Sequence, residues 1–214
     1  MFAMGVENLS LTLRITTVVV PVGVYFLLLG LLNSRRHPQF LTGRQDFAML
    51  VLALSPLLVL PILSAVGISV MTVVLTGAGL AGGILLLAPR GRNWVVYNLP
   101  MDQARRVVEQ AVESLGLAHR ASPTGWHLPG EQAALEVGGF PMLRNVSLRL
   151  RGGSREFVHR FESALTSRLG ALPAETSPAA VSLLLAATAM LVVPLTLVVN
   201  RAPEIVRLLT DLLR

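Results

Sequence analysis

Uncharged apolar blocks alternate with charged polar ones along this chain. Residues 15–32 (ITTVVVPVGVYFLLLGLL) carry no charge, none falls between Asp46 and Arg90, and none between Glu175 and Arg201. A bilayer-spanning helix needs about 20 mainly apolar residues. The pattern therefore predicts a polytopic membrane protein and excludes a wholly soluble one. The first block has a signal-peptide flank in Arg14, but no small-x-small cleavage pattern follows it. It runs instead into Asn33-Ser34-Arg35-Arg36-His37, a membrane-exit cluster, so a retained helix is expected. Residues 47–88 would make a single helix about 63 Å long, twice the hydrocarbon thickness. They are expected to fold back near Ala65-Val66-Gly67 into spans of 47–66 and 68–88, the first kinked at Pro56 and Pro61. A fourth span covers 179–199, opened by Pro178 and carrying Pro194.

Residues 90–176 hold the charge that the rest lacks, eleven arginines against eight acids. Trp94-Val95-Val96-Tyr97 reads as a short strand. Pro100 then opens a helix to about Leu115, stopped by Gly116, with Ala104, Val107, Val108, Ala111, Val112 and Leu115 on one face. Turn signals at Ser122-Pro123-Thr124-Gly125, Pro129-Gly130 and Gly138-Gly139 separate brief apolar runs and predict antiparallel hairpins. Val146, Leu148 and Leu150 alternate with polar residues in the clearest strand, 145–150. Ser154 then caps a helix to about Leu169, its apolar face formed by Phe157, Val158, Phe161, Leu165 and Leu169 and its stop by Gly170.

The expected fold is a membrane all-α region of four transmembrane helices with an inserted small α+β two-layer sandwich. Its parts are an N-terminal membrane region at 1–89, the soluble domain at 90–176, the fourth span within 177–200 and an amphipathic C-terminal helix at 201–214. In that last helix Ile205, Leu208, Leu209 and Leu212 share one face. Arg35, Arg36 and Arg44 in the 33–46 loop, with Arg90 and Arg92 after the third span, put those segments and the insert on the cytoplasmic side. Arg201, Arg207 and Arg214 in the outward-facing tail fit that orientation poorly.

Charged residues make up 14% of the chain, against about 25% in an ordinary soluble domain. Mean hydropathy is +0.65. The absence of cysteine excludes disulfides, cysteine-ligated zinc, iron–sulfur clusters and thiol catalysis. All 18 basic residues are arginine, which excludes Schiff-base chemistry and a P-loop lysine and points to a GC-rich, bacterial genome. No GxSxG, GxGxxG or Walker pattern occurs. His37, His119, His127 and His159 have no metal-binding spacing; His119 and His127 meet at most as two ligands across a hairpin. Glu109 and Glu113 read as surface ion-pair residues beside Arg105 and Arg106. No catalytic residue, cofactor or metal is expected.

Two surfaces stand out. Arg144, Arg149, Arg151, Arg155 and Arg160, opposed in that stretch only by Glu156, suit an acidic partner or anionic lipid headgroups. Gly79-x-x-x-Gly83 matches the small-residue pattern of close helix packing. The expected partners are the lipid bilayer and a protein partner or further copies of this chain; with few aromatic residues and no RNA-binding motif, nucleic acid is not expected. These features lead to a non-enzymatic inner-membrane subunit or scaffold whose cytoplasmic α+β domain docks or regulates a partner. The alternative is a small oligomeric transporter or channel.

Overall fold

The computed structural model describes the chain apart from Met1, Ile68, Arg90, Arg201, Glu204, Ile205, Leu208, Leu209 and residues 211–214. The C-terminal amphipathic stretch, the start of the 68–88 span and Arg90 thus lie wholly or largely outside the described residues. Among the described residues, six α-helices and a six-stranded antiparallel sheet make a mixed α/β architecture. Four of the helices are long and apolar enough to cross a membrane: α1 (Phe2–Asn33), α2 (Gly43–Val66), α3 (Val70–Leu87) and α6 (Pro178–Asn200). The chain divides into two compact units, one of Met1–Leu28, Leu50–Gly82 and Leu183–Arg214, the other of Leu29–Met49 and Gly83–Ser182.

In the first unit the break between α2 and α3 falls at Gly67, whose φ of 90° is the left-handed conformation that glycine adopts at least cost. Pro56 lies inside α2 and removes the N–H that would bond the Leu52 carbonyl. The hydroxyl of Ser55 donates to that same carbonyl at 2.8 Å, so the helix continues with its backbone paired. Thr188 and Thr196 likewise donate to the Leu184 and Val192 carbonyls one turn back, which accounts for these hydroxyls within an apolar helix. At Gly23, α1 and α6 come so close that a Cβ would stand 3.1 Å from the Leu191 side chain. Apolar side chains point outward along these helices: α3 buries no residue, and Val70 and Leu87 are 84% and 74% exposed.

The second unit is a two-layer sandwich. Its sheet runs β1-β2-β6-β5-β4-β3, from β1 (Gln39–Thr42), β2 (Arg92–Tyr97), β3 (Arg120–Ser122), β4 (Gly125–Leu128), β5 (Ala133–Phe140) and β6 (Asn145–Gly152). Two helices, α4 (Met101–Ser114) and α5 (Arg155–Ala171), cover one face. Their buried stripes are Ala104, Val107, Val108, Ala111 and Val112 on α4, and Phe157, Phe161, Leu165 and Leu169 on α5. These meet Trp94, Val96, Trp126, Leu135, Val146 and Leu148 of the sheet in one core. Each large side chain so buried contributes about 1.5–3 kcal/mol. Gly116 ends α4 with φ at 67°, and Ser154 caps α5 by accepting the Phe157 N–H at 3.0 Å.

The sheet departs from the sequence reading in two places. The sequence pattern predicts a loop over 33–46, yet Gln39–Thr42 forms the edge strand β1, paired from Gln39↔Tyr97 to Thr42↔Trp94. Four residues without clear alternation carry no strand signal; Phe40 is held by stacking on Trp94, with ring centroids 6.4 Å apart. Gly138-Gly139 reads as a turn by composition and instead lies inside β5, opposite Ser147 and Val146. A Cβ on Gly139 would stand 2.7 Å from both the Asn145 carbonyl oxygen and the Met101 methyl, so glycine is there for close approach.

Candidate functional site

The sheet's second face is open along β3 to β6, and its pleat decides what it presents there. Residues paired directly across strands share a face. One row therefore reads Arg120, His127, Ala134, Arg151 across β3, β4, β5 and β6. The next reads Ser122, Gly125, Glu136, Arg149 and Asn93. Arg120, His127, Arg149 and Arg151 are all exposed. Arg151 pairs with Glu136 at 3.1 Å, and Arg149 donates to the Asn93 side-chain oxygen at 3.3 Å. Beside this row, His127, Gln132, Ala134 and Arg151 line a shallow recess of about 470 Å³.

The other arginines singled out in the sequence stand elsewhere. Arg155 and Arg160 belong to α5, in the layer that covers the opposite face. Arg160 lies 3.5 Å from Glu131 and 4.0 Å from Glu156, and Glu131 also accepts from the Ser154 hydroxyl at 3.1 Å. Arg144 sits in the turn before β6 with φ at 50°; its carbonyl accepts the Leu99 N–H and its guanidinium donates to the Glu175 carbonyl. The fold thus gathers Arg149 and Arg151 with Arg120 and His127, two groups the sequence reading did not join to them. Strand register is the missing signal: Arg120 and Arg151 are neighbours on one face only once β3 to β6 are paired. Gly79 and Gly83 on α3 have nothing within 4 Å of the position a Cβ would take.

A polar cluster fixes the segment after α1 within the second unit. The buried Asn33 side chain accepts the Asn98 N–H at 3.1 Å and donates to the Leu29 carbonyl. Asn98 in turn donates to the Arg35 carbonyl. The His37 ring donates to the Leu172 carbonyl, and Ala174 N–H donates to the Arg36 carbonyl. Tyr97 bonds Asp46 in the first turn of α2, and Thr42 and Gln45 cap that helix reciprocally. Trp94 donates its indole N–H to Glu162 at 2.7 Å, which satisfies the one polar atom of a buried ring.

On α4, Glu109 and Glu113 lie one turn apart. Neither arginine expected to pair with them does so: Arg105 donates to the Pro123 carbonyl at 2.7 Å, and Arg106 lies 4.0 Å from Asp102. What reaches the two carboxylates is His119, brought back by the Gly116 turn. Its Nε2 is 3.9 Å from Glu109 Oε1, and donor atoms of all three side chains lie within 4.8 Å of one another. The sequence reading set His119 against His127; the spacing Glu-x3-Glu-x5-His around a helix-ending glycine is the signal that was available. No protein-family model, no curated protein and no solved structure matches the chain, so its chemistry rests on these residues alone.

Proposed function

We propose that this chain is a polytopic protein of a bacterial inner membrane, a non-enzymatic subunit or scaffold whose α+β unit faces the cytoplasm and docks or regulates a partner. The outward-pointing apolar side chains of α1, α2, α3 and α6 support the membrane placement, because their burial in lipid removes an exposure that water penalises. Arg35, Arg36, Arg44 and Arg92 in the segments flanking α2 and α3 support a cytoplasmic α+β unit.

The observation that carries the docking reading is the one-sided sheet. Helices α4 and α5 cover one face, while the other presents Arg120, His127, Arg149 and Arg151 around a single acid, Glu136. Such a face fits an acidic protein surface, and the same arginines suit anionic headgroups at about 1 kcal/mol each near a membrane. The test is purification of the full chain from native membranes in mild detergent, with composition read by mass spectrometry. A stoichiometric second protein, lost from the double variant Arg149→Glu/Arg151→Glu, is expected. A homo-oligomer with nothing else bound overturns the docking reading in favour of the transporter or channel, for which the open Gly79 and Gly83 face of α3 would supply a contact between copies.

A further inference from the structure

We propose that Glu109, Glu113 and His119 form a binding site for a divalent transition-metal ion of the Zn²⁺ type, distinct from the open sheet face. Two carboxylates one helical turn apart repel each other unless a cation stands between them. The arginines that could supply it are turned away, Arg105 to the Pro123 carbonyl and Arg106 to Asp102. The group facing the carboxylates is instead an imidazole. His119 Nδ1 lies 3.4 Å from the Leu117 carbonyl oxygen, which can only accept, so the ring carries its proton on Nδ1 in that contact. Nε2 of the same ring faces Glu109 Oε1, 3.9 Å away. An ion held between them takes both as ligands, with the Leu117 carbonyl in the backing role that metal-bound histidines usually find.

The distances fit. Zinc takes imidazole nitrogen and carboxylate oxygen at about 2.0–2.2 Å, which sets two donors on one tetrahedral ion roughly 3.3 Å apart. The three donors lie within 4.8 Å of one another, so small side-chain rotations close the site. The donor set also selects the metal. One nitrogen with two oxygens suits Zn²⁺ and its first-row neighbours, while Ca²⁺ and Mg²⁺ prefer oxygen alone. Three protein ligands leave a fourth position for water. Bound there, the ion ties the C-terminal half of α4 to the segment that enters the edge strand β3.

The test is titration of the full chain, purified in mild detergent and stripped with a chelator, with Zn²⁺ alone by calorimetry. Titration with Co²⁺ alone gives a visible-absorption readout of coordination geometry. One equivalent of Zn²⁺ is expected, with a rise in the unfolding temperature by linkage and a tetrahedral Co²⁺ spectrum. Glu113→Gln is the informative variant, since this exposed side chain keeps its shape and loses its charge; it and His119→Ala should each weaken Zn²⁺ more than about tenfold, the least that even a group behind a ligand costs. His127→Ala should leave binding unchanged. Absence of stoichiometric Zn²⁺ binding overturns the site, as does binding that Glu113→Gln and His119→Ala both leave intact.

Discussion

Asn98 shows how one residue can join a helix end to a sheet. It is 1% exposed, follows β2 with φ at 59°, and links through Asn33 and Arg35 to the segment leaving α1. Asparagine tolerates the left-handed region better than other residues with a Cβ. Asn98→Ala adds backbone strain to the loss of a buried hydrogen bond and should destabilise the α+β unit by about 2 kcal/mol. Asn98→Gly relieves the strain and should recover about half of that. The two tryptophans, Trp94 and Trp126, both lie in the core of this unit, so fluorescence-monitored unfolding of the full chain reports on it directly. Equal stability of the Ala and Gly variants would remove backbone strain from the account. A second pair separates strain from collision. Gly116 and Gly152 have φ of 67° and 78°, but a Cβ on Gly116 meets open space whereas one on Gly152 stands 2.2 Å from the Gln132 carbonyl oxygen. Gly116→Ala should cost about 1 kcal/mol, Gly152→Ala more than about 2 kcal/mol, read by the same unfolding curves.

At the scale of elements, what the sequence disclosed depended on how local each signal is. Helix α4 is legible because its apolar positions recur at helical spacing and Gly116 marks its end; α5 is legible through its own apolar stripe and the Ser154 cap. The fold-back at Gly67 follows from length alone. Strand β1 was missed because four residues become a strand only by pairing with β2, more than fifty positions away. Likewise Gly138-Gly139 punctuates by composition but serves here to admit the Asn145 backbone. The His119 cluster was missed for a related reason: Arg105 is drawn off Glu109 by the Pro123 carbonyl, eighteen residues on, a contact that only the folded chain makes. The Ser154 cap yields an element-level prediction, since its hydroxyl accepts from Phe157 N–H and donates to Glu131. Ser154→Ala should lower stability by about 1 kcal/mol, and Ser154→Thr, which keeps both bonds, should lie close to the parent. An Ala variant as stable as the parent in denaturant titration would show that α5 is fixed by its apolar face alone.

For the whole molecule, strand pairing constrains topology. Strand β1 lies between α1 and α2, and β2 follows α3, yet the two are hydrogen-bonded neighbours in one sheet. Neighbouring strands must occupy the same side of any bilayer, so α2 and α3 together make an even number of crossings. Each helix holds one stretch long and apolar enough to cross, Gly43–Leu63 and Val70–Leu87, so on the proposed membrane reading two crossings are the consistent count. The orientation proposed from arginine placement puts the α+β side in the cytoplasm. The cysteine-free sequence allows a background-free test, because any introduced thiol is the only one present. Val66→Cys, at the exposed end of α2, should react with a membrane-impermeant maleimide applied to intact cells with the outer membrane permeabilised. Ser147→Cys, on the open sheet face, should react only after the inner membrane is opened as well. The reverse pattern would keep the two crossings and invert the orientation, placing the arginine-bearing face outside. Labelling of both thiols before the inner membrane is opened would mean that α2 and α3 do not cross, and the membrane reading would then rest on α1 and α6 alone.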